Sequence, residues 1–268
     1  VDAIKEVREE YEFIKSIDRM ISLGSTSEEW MGKTFVEKYA ESISETVYVS
    51  GNVFTEEIFE KQIYPPRQFS IPGRASWKTV GKNEFKLLEE VWRDKNSWTT
   101  KIGLNGKEIR YIPPKQITDI AINRYREIQP EKMIVHYMQP HSPYIAESDL
   151  DNDIDVPVDR VFEKYYSGEI DKSEMWGLYL ANLRLVLDEV ENLISSIDSD
   201  RTIITADHGE SFDKIIGNHK IAHPSPYVKS VPWCEVKPSK KENYNPSENI
   251  VEEVDQDTEE LLSSLGYT

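Results

Sequence analysis

Five histidines, His136, His141, His208, His219 and His223, all fall within one third of the chain, and this clustering is the first sign of chemistry. Three of them lie in, or just after, a segment that reads as a strand. The densest motif is Asp207-His208-Gly209-Glu210, directly after the apolar run TIITA at 202–206. A carboxylate and an imidazole leaving a buried strand together can both face one cation. Gly209 is expected to permit the sharp turn that this requires. A second reading makes Asp207 the cap of a following helix and His208 a backbone partner. Glu210 is likewise open to two roles, either orienting a ligand histidine or standing solvated in a first helical turn.

The hydroxyl groups placed to act as nucleophiles are Ser25, Thr26 and Ser27, just ahead of a helix expected from Glu28 to about Ser42. A helix N-terminus favours an anionic group, and a hydroxyl there could attack phosphorus or sulfur. The same residues also read as capping boxes, Ser25-x-x-Glu28 and Thr26-x-x-Glu29, whose carboxylates would repel a phosphate. Cys234 is the single cysteine, so an internal disulfide and a zinc site of several cysteines are excluded. It sits among apolar residues in a short expected strand, Val231–Val236, where a thiol serves as packing.

The elements that must hold these residues follow from periodicity. Apolar residues at helical spacing predict helices over 3–20, 115–128 and 173–197, the last with an unbroken stripe from Trp176 to Ile197. A shorter helix is expected at Glu84–Asp94 and a final amphipathic one at Val251–Leu265. Short β-branched or apolar runs predict strands at Thr46–Ser50, Met133–Met138, Thr202–Ala206 and Val231–Val236. Strands alternating with helices imply a largely parallel sheet covered on both faces, with ligands beyond the carboxyl ends of the strands. That places Gln139–His141 and Asp207-His208 at the site. An acidic loop at 147–159 reads as solvated, because it lacks the glycine and terminal glutamate of an EF-hand loop.

The composition narrows the function. Lys and Arg number 32 against 49 Asp and Glu, a net charge of −17, with no basic cluster to hold phosphate backbones. Nucleic acid is therefore not an expected partner. At 38% apolar and 10% aromatic residues, a chain of 268 can bury a sizeable core. No stretch approaches ~18 consecutive apolar residues, and the first fifteen residues are charged rather than leader-like, so a cytoplasmic protein without a transmembrane segment is expected. The first residue is Val rather than Met, so the native start is expected upstream.

Several motifs together carry a resemblance. TIITADHGE, followed by a loop with His223-Pro224 and then VPWCEV, resembles the C-terminal half of sulfatase-like hydrolases of the alkaline phosphatase superfamily. MIVHYMQPHSPY is similar to that family's strand ending in Pro-His-x-Pro-Tyr, and the long preceding helix and closing LLSSLGY fit its order. The resemblance implies a three-layer α/β/α sandwich with a mostly parallel sheet over residues 1–236, and an acidic loop and helix at 237–268 packed on it. It implies metal ligation by Asp207, His208 and His223, and contact of His141 with a sulfate or phosphate ester or with the metal. The cofactor would be a divalent cation such as zinc, manganese or calcium, and the substrate an anionic ester, small or on a glycan. Attack would come from Thr26 or Ser27. Asp2, in Val1-Asp2-Ala3, could be the family's first metal-binding aspartate, or the cap of the helix that follows. His136 is open between a core and a site role, and His219, which has no counterpart, reads as a surface residue. The cysteine- or serine-type sulfatase nucleophile motif is missing. A hydrolase or transferase of phosphate or sulfate esters is therefore expected. Its rival is an inactive sulfatase-like binding or assembly protein, for instance in surface-glycan metabolism.

Overall fold

A computed structural model describes residues 1–62, 78–102, 108–146, 160–213, 219–236, 244–247 and 261. In chain order the elements are α1 (Asp2–Val7), β1 (Asp18–Ile21), α2 (Ser27–Thr34), α3 (Ala40–Ser44), β2 (Thr46–Ser50) and β3 (Leu87–Glu90). There follow β4 (Thr99–Ile102), β5 (Glu108–Tyr111), α4 (Pro114–Ile128), β6 (Lys132–His136) and α5 (Val161–Ser167). Last come α6 (Lys172–Ser196), β7 (Thr202–Thr205), α7 (Pro226–Lys229) and β8 (Ser230–Val236).

The chain is α/β. One sheet, β3-β2-β6, is parallel throughout. A second, β1-β8-β7, is antiparallel, and β4 and β5 pair as a separate antiparallel ribbon. The expectation of a largely parallel sheet therefore holds for one sheet only. In the second sheet β8 runs antiparallel to both of its neighbours, β1 and β7.

Two elements organise the core. In β2 all five residues are buried, as β-branched and aromatic residues in a covered parallel strand should be. Helix α6 is started by a reciprocal cap: Asp171 accepts from the Ser173 and Glu174 amides, while the Glu174 carboxylate accepts from the Asp171 amide at 2.6 Å. Its apolar stripe packs Leu187, Val190 and Ile194 against Ile4, Tyr11 and Ile14, and Leu193 against the α4 side of the core.

The helices expected at 115–128 and 173–197 and all four expected strands are present to within a few residues. Three expectations fail. The helix over 3–20 stops at Val7, because Tyr11 turns to bond the Arg184 carbonyl and the Asp188 carboxylate, and the chain then extends to pair β1 with β8. The helix over 28–42 breaks at Phe35, which leaves the helix line to join Tyr48, Phe59 and Phe85 in an aromatic cluster. Residues 84–94 form β3 between two short 3-10 turns rather than a helix, since β2 supplies a parallel partner for the backbone. The acidic loop at 147–159 and the closing loop and helix at 237–268 lie outside the described residues, apart from 244–247 and Leu261. Tyr244 bonds Asp119 of α4, and Leu261 is buried against the same side of the core.

Candidate functional site

The carboxyl ends of β6 and β7 meet. His136, the last residue of β6, places Nε2 3.5 Å from Oδ2 of Asp207, two residues past the end of β7. On its other side His136 Nδ1 is 2.8 Å from the Tyr48 hydroxyl, and its ring meets Trp30 edge-on. A tyrosine hydroxyl donating to Nδ1 leaves the Nε2 proton facing the carboxylate. His136, whose role the sequence left open, is thus both bonded within its sheet through Tyr48 and turned toward Asp207.

Asp207 is tied to its own loop by one oxygen only. Oδ1 accepts from the His208 amide at 2.8 Å, and the Asp207 carbonyl accepts from the Ser22 hydroxyl. Oδ2 is buried without a hydrogen-bond partner, 3.5 Å from His136 and 3.7 Å from His208, both beyond hydrogen-bond length. Burial opposes charge on this carboxyl, yet His208, His136 and the facing Ser27 hydroxyl hold it well below the usual carboxylate range. A buried carboxylate oxygen left without a donor has a strong call on a cation.

Three imidazoles gather beside it. The rings of His208 and His219 are 4.4 Å apart and those of His141 and His219 5.1 Å apart. In each, Nδ1 faces an oxygen that can only accept: the Gly209 carbonyl for His208, the Ser142 carbonyl for His141, and the Glu210 carboxylate for His219. Nδ1 must therefore carry the proton, and Nε2 is the basic nitrogen in the neutral form of all three. Ligand atoms of His141, Glu210 and His219 all lie within 4.8 Å of one another. Burial and the neighbouring His219 bring His141 down to about 4, so it is neutral at pH 7. His219 is pushed the other way; burial opposes its charge, but the Glu210 carboxylate raises it above its ordinary value.

The backbone that presents these groups is held from below. Asn182, fully buried on α6, accepts from the Ile145 and Ala146 amides and donates to the His141 and Pro143 carbonyls. Gly209 serves by lacking a side chain. Its amide donates to the Val228 carbonyl at 2.6 Å, and a Cβ there would stand 2.3 Å from the Tyr227 carbonyl oxygen. Close approach, rather than the turn geometry expected from sequence, is what requires glycine.

The hydroxyl cluster sorts into different tasks. Thr26 is the cap of α2, its Oγ1 accepting from the Glu29 amide at 3.1 Å. Ser25 accepts from the His223 amide and donates to Glu29 and the Lys220 carbonyl. Ser27, the first residue of α2, faces Asp207 and lines the cavity between β6 and β7. Burial opposes the charge on Glu29, but Lys33 and Ser25 hold its pKa down at about 2. His223 is buried, with Nδ1 accepting from the Ser225 amide at 3.1 Å and Nε2 without a partner. A neutral ring so bonded carries its proton on Nε2, so His223 presents a donor where the resemblance implied a metal ligand.

The structure thus brings together Ser27, His141, Asp207 and His208 and adds His136, His219 and Glu210. Thr26 and His223 stand beside them at the α2 end. Asp2, exposed at the start of α1 and 3.9 Å from Arg19, lines the same large cavity as Ser27, His136 and Asp207. The expectation of a surface role for His219 fails, because it is buried against Glu210; a contact across the loop leaves no local period in the sequence. Glu210 is paired with His219 rather than solvated. Cys234 is fully buried and its thiol is pushed up to about 11 by burial, as inert packing requires.

No protein-family model matches the chain, and no curated protein matches it either. Among the described residues no helix is long and apolar enough to cross a membrane.

Proposed function

We propose that the chain is a metal-dependent hydrolase or transferase of phosphate or sulfate esters, sulfatase-like and built on a three-layer alkaline phosphatase-like plan. One observation carries this reading: three imidazoles whose Nδ1 atoms are committed to acceptors converge beside an ionised Asp207 with an unpartnered oxygen. The donor set fits a divalent cation, and nitrogen-rich ligation favours zinc or manganese over calcium, which takes oxygen. His141, Glu210 and His219, whose ligand atoms lie within 4.8 Å of one another, would hold it, with His208 packed beside His219. A bound cation would supply charge neutralisation at the oxygens of the transferred group.

The chain's own groups divide the remaining work. The Ser27 hydroxyl is the nucleophile; it stands on the first residue of α2, where backbone amides favour an anion. Its proton passes to the Asp207 carboxylate that it faces as the new bond to phosphorus or sulfur forms. The ester oxygen takes that proton as its bond breaks and leaves as the alcohol, and water then attacks the covalent intermediate and returns a proton to the Ser27 oxygen as the acid is released. His223 offers its Nε2 proton to a non-bridging oxygen. Thr26 shapes the helix end without reacting.

The test is metal content of the purified protein, followed by thermal melts with zinc, manganese or calcium. Binding only to the folded state must raise the melting temperature. The expected result is stoichiometric zinc or manganese, a rise in melting temperature, and turnover of nitrophenyl phosphate, diester or sulfate. No bound metal and no shift overturns the proposal. Bound metal with no turnover of any of these esters favours the inactive binding protein instead.

A further inference from the structure

Helix α6 changes character along its length. Leu183, Leu187 and Ile194 are buried in the apolar core, whereas Trp176 and Tyr179, in its first turns, are only half-buried. Both line the cavity that also takes in Ser27, His136 and Asp207. Phe212, half-buried and two residues beyond Glu210, lines it with them.

The three rings make a corner. Trp176 and Tyr179 lie with centroids 5.7 Å apart and planes at 11°. Phe212 stands edge-on to both, 5.5 Å from Trp176 at 90° and 5.2 Å from Tyr179 at 81°. Each ring is held by a neighbour outside the cavity lining. Trp176 Nε1 donates to the Glu6 carboxylate at 3.0 Å, Phe212 stacks on Phe162 at 6.2 Å, and Tyr179 meets the buried Tyr144 edge-on at 6.4 Å. The corner is therefore preformed, which spares a ligand the cost of ordering it.

Tyr179 also carries a polar tip. A buried tyrosine hydroxyl ordinarily finds a partner, but this one makes no hydrogen bond among the described residues. Burial, and then the charges of Glu210 and Asp207, raise its pKa well above the ordinary tyrosine value, so it remains a donor at pH 7. That both carboxylates act on it places the hydroxyl on the site side of the corner.

An ester has two parts to be recognised, the anionic group and the alcohol. The imidazoles, Asp207 and Ser27 suit the first and offer nothing apolar to the second. The three rings offer faces and edges, and their quadrupoles favour another aromatic ring over an aliphatic group of similar size.

We propose that Trp176, Tyr179 and Phe212 form the subsite for the alcohol of the ester, and that this alcohol carries an aromatic ring. The ring stacks along Trp176 and Tyr179 and meets Phe212 edge-on, while the Tyr179 hydroxyl donates to an oxygen of the anionic group. The inference rests on the ester-transfer reading above and names the substrate class within it.

The test is calorimetric binding of phenylphosphonate, cyclohexylphosphonate and methylphosphonate, unreactive mimics of the ester, to the zinc-loaded protein. Phenylphosphonate is expected to bind about fivefold tighter than cyclohexylphosphonate, with methylphosphonate reporting the anion alone. Phe212→Leu should bring the phenyl and cyclohexyl compounds to equal affinity and leave methylphosphonate unchanged, which also reports a folded variant. Tyr179→Phe should weaken all three alike, by about fivefold, and keep their order. Equal affinity of the two ring compounds for the unmodified protein overturns the proposal without any variant, as does a preference that survives Phe212→Leu. Unchanged methylphosphonate binding in Tyr179→Phe overturns the hydroxyl contact. Turnover of nitrophenyl phosphate without an aromatic preference removes the subsite and leaves the ester-transfer reading standing. No turnover and no binding of any phosphonate removes both.

Discussion

Two carboxylates stand at the carboxyl end of the parallel sheet, Glu90 on its β3 edge and Asp207 beside its β6 edge, and are treated in opposite ways. Glu90, at the end of β3, accepts from Thr55 at 2.6 Å, Lys82 at 2.5 Å and Arg93 at 2.8 Å. Burial opposes its charge, yet Lys82, Thr55 and Arg93 keep its pKa below the ordinary value. Asp207 is surrounded by imidazoles, no lysine or arginine contacts it among the described residues, and one oxygen has no partner. A carboxylate with both oxygens met by fixed donors, two of them cations, has little left to bind. One that is ionised and half satisfied is arranged for something that arrives. The contrast separates structure from function more sharply than burial alone, since both groups are inside.

The largest effect expected from this contrast is on catalysis. Ser27→Ala and Asp207→Asn should each lower kcat/KM by at least about 10³-fold, roughly 4 kcal/mol, while leaving the melting temperature within a few degrees. Glu90→Gln should do the reverse. It leaves Lys82 and Arg93 without their shared partner and costs about 3 kcal/mol of stability in a denaturant titration, with metal content per folded molecule unchanged. If Asp207→Asn destabilises as much as Glu90→Gln, the contrast fails. A smaller effect is expected at Glu210, which pairs with His219 at the candidate metal site: Glu210→Gln should weaken zinc binding by about 10–100-fold, read by competition with a chelating dye.

The pH response sharpens the same distinction. Burial, with Glu57 and Glu29 nearby, raises Glu28 to about 7 from an ordinary 4.5. A carboxyl raised by folding stabilises the native state only while protonated, so the penalty appears as pH rises from 4.5 through 7. Glu28→Gln should therefore gain about 1 kcal/mol at pH 8, after allowance for solvent screening, and nothing at pH 4. Urea titrations at the two pH values check this. The smallest effect is at Thr26, where alanine removes the α2 cap for about 1 kcal/mol of stability and leaves turnover nearly intact. Ser27→Ala and Thr26→Ala should thus differ mainly in rate.

Much of this arrangement could be read from residue order. The long stripe from Trp176 to Ile197 required α6, and TIITA followed by Asp-His-Gly required a strand with a carboxylate at its end. Local period fails where distant contacts decide. Phe35 leaves its helix for Tyr48 and Phe85, and residues 87–90 are a strand because β2 offers them a partner. At the site, Asp207, His208, His141 and Ser27 were legible because each follows or opens an element with a clear pattern. Asn182 was hidden within the helical stripe, and His219 is joined to Glu210 only by the closure of a loop. The protonation of His223 depends on the Ser225 amide, which no spacing rule reveals.

The packing of the first helix has a consequence for biosynthesis. Ala3, Ile4, Val7 and Ile14 are buried against residues 180–194 and against Cys234 and Val236. At ~5–20 residues per second, roughly 10–45 s of translation separate Ile14 from Val236. Through the first part of that interval, until residues 180–194 are made, this apolar face lacks its partners on α6, and until Val236 is made it lacks those on β8. Folding of this part therefore follows synthesis of residues far along the chain, and the nascent protein exposes the face in the meantime.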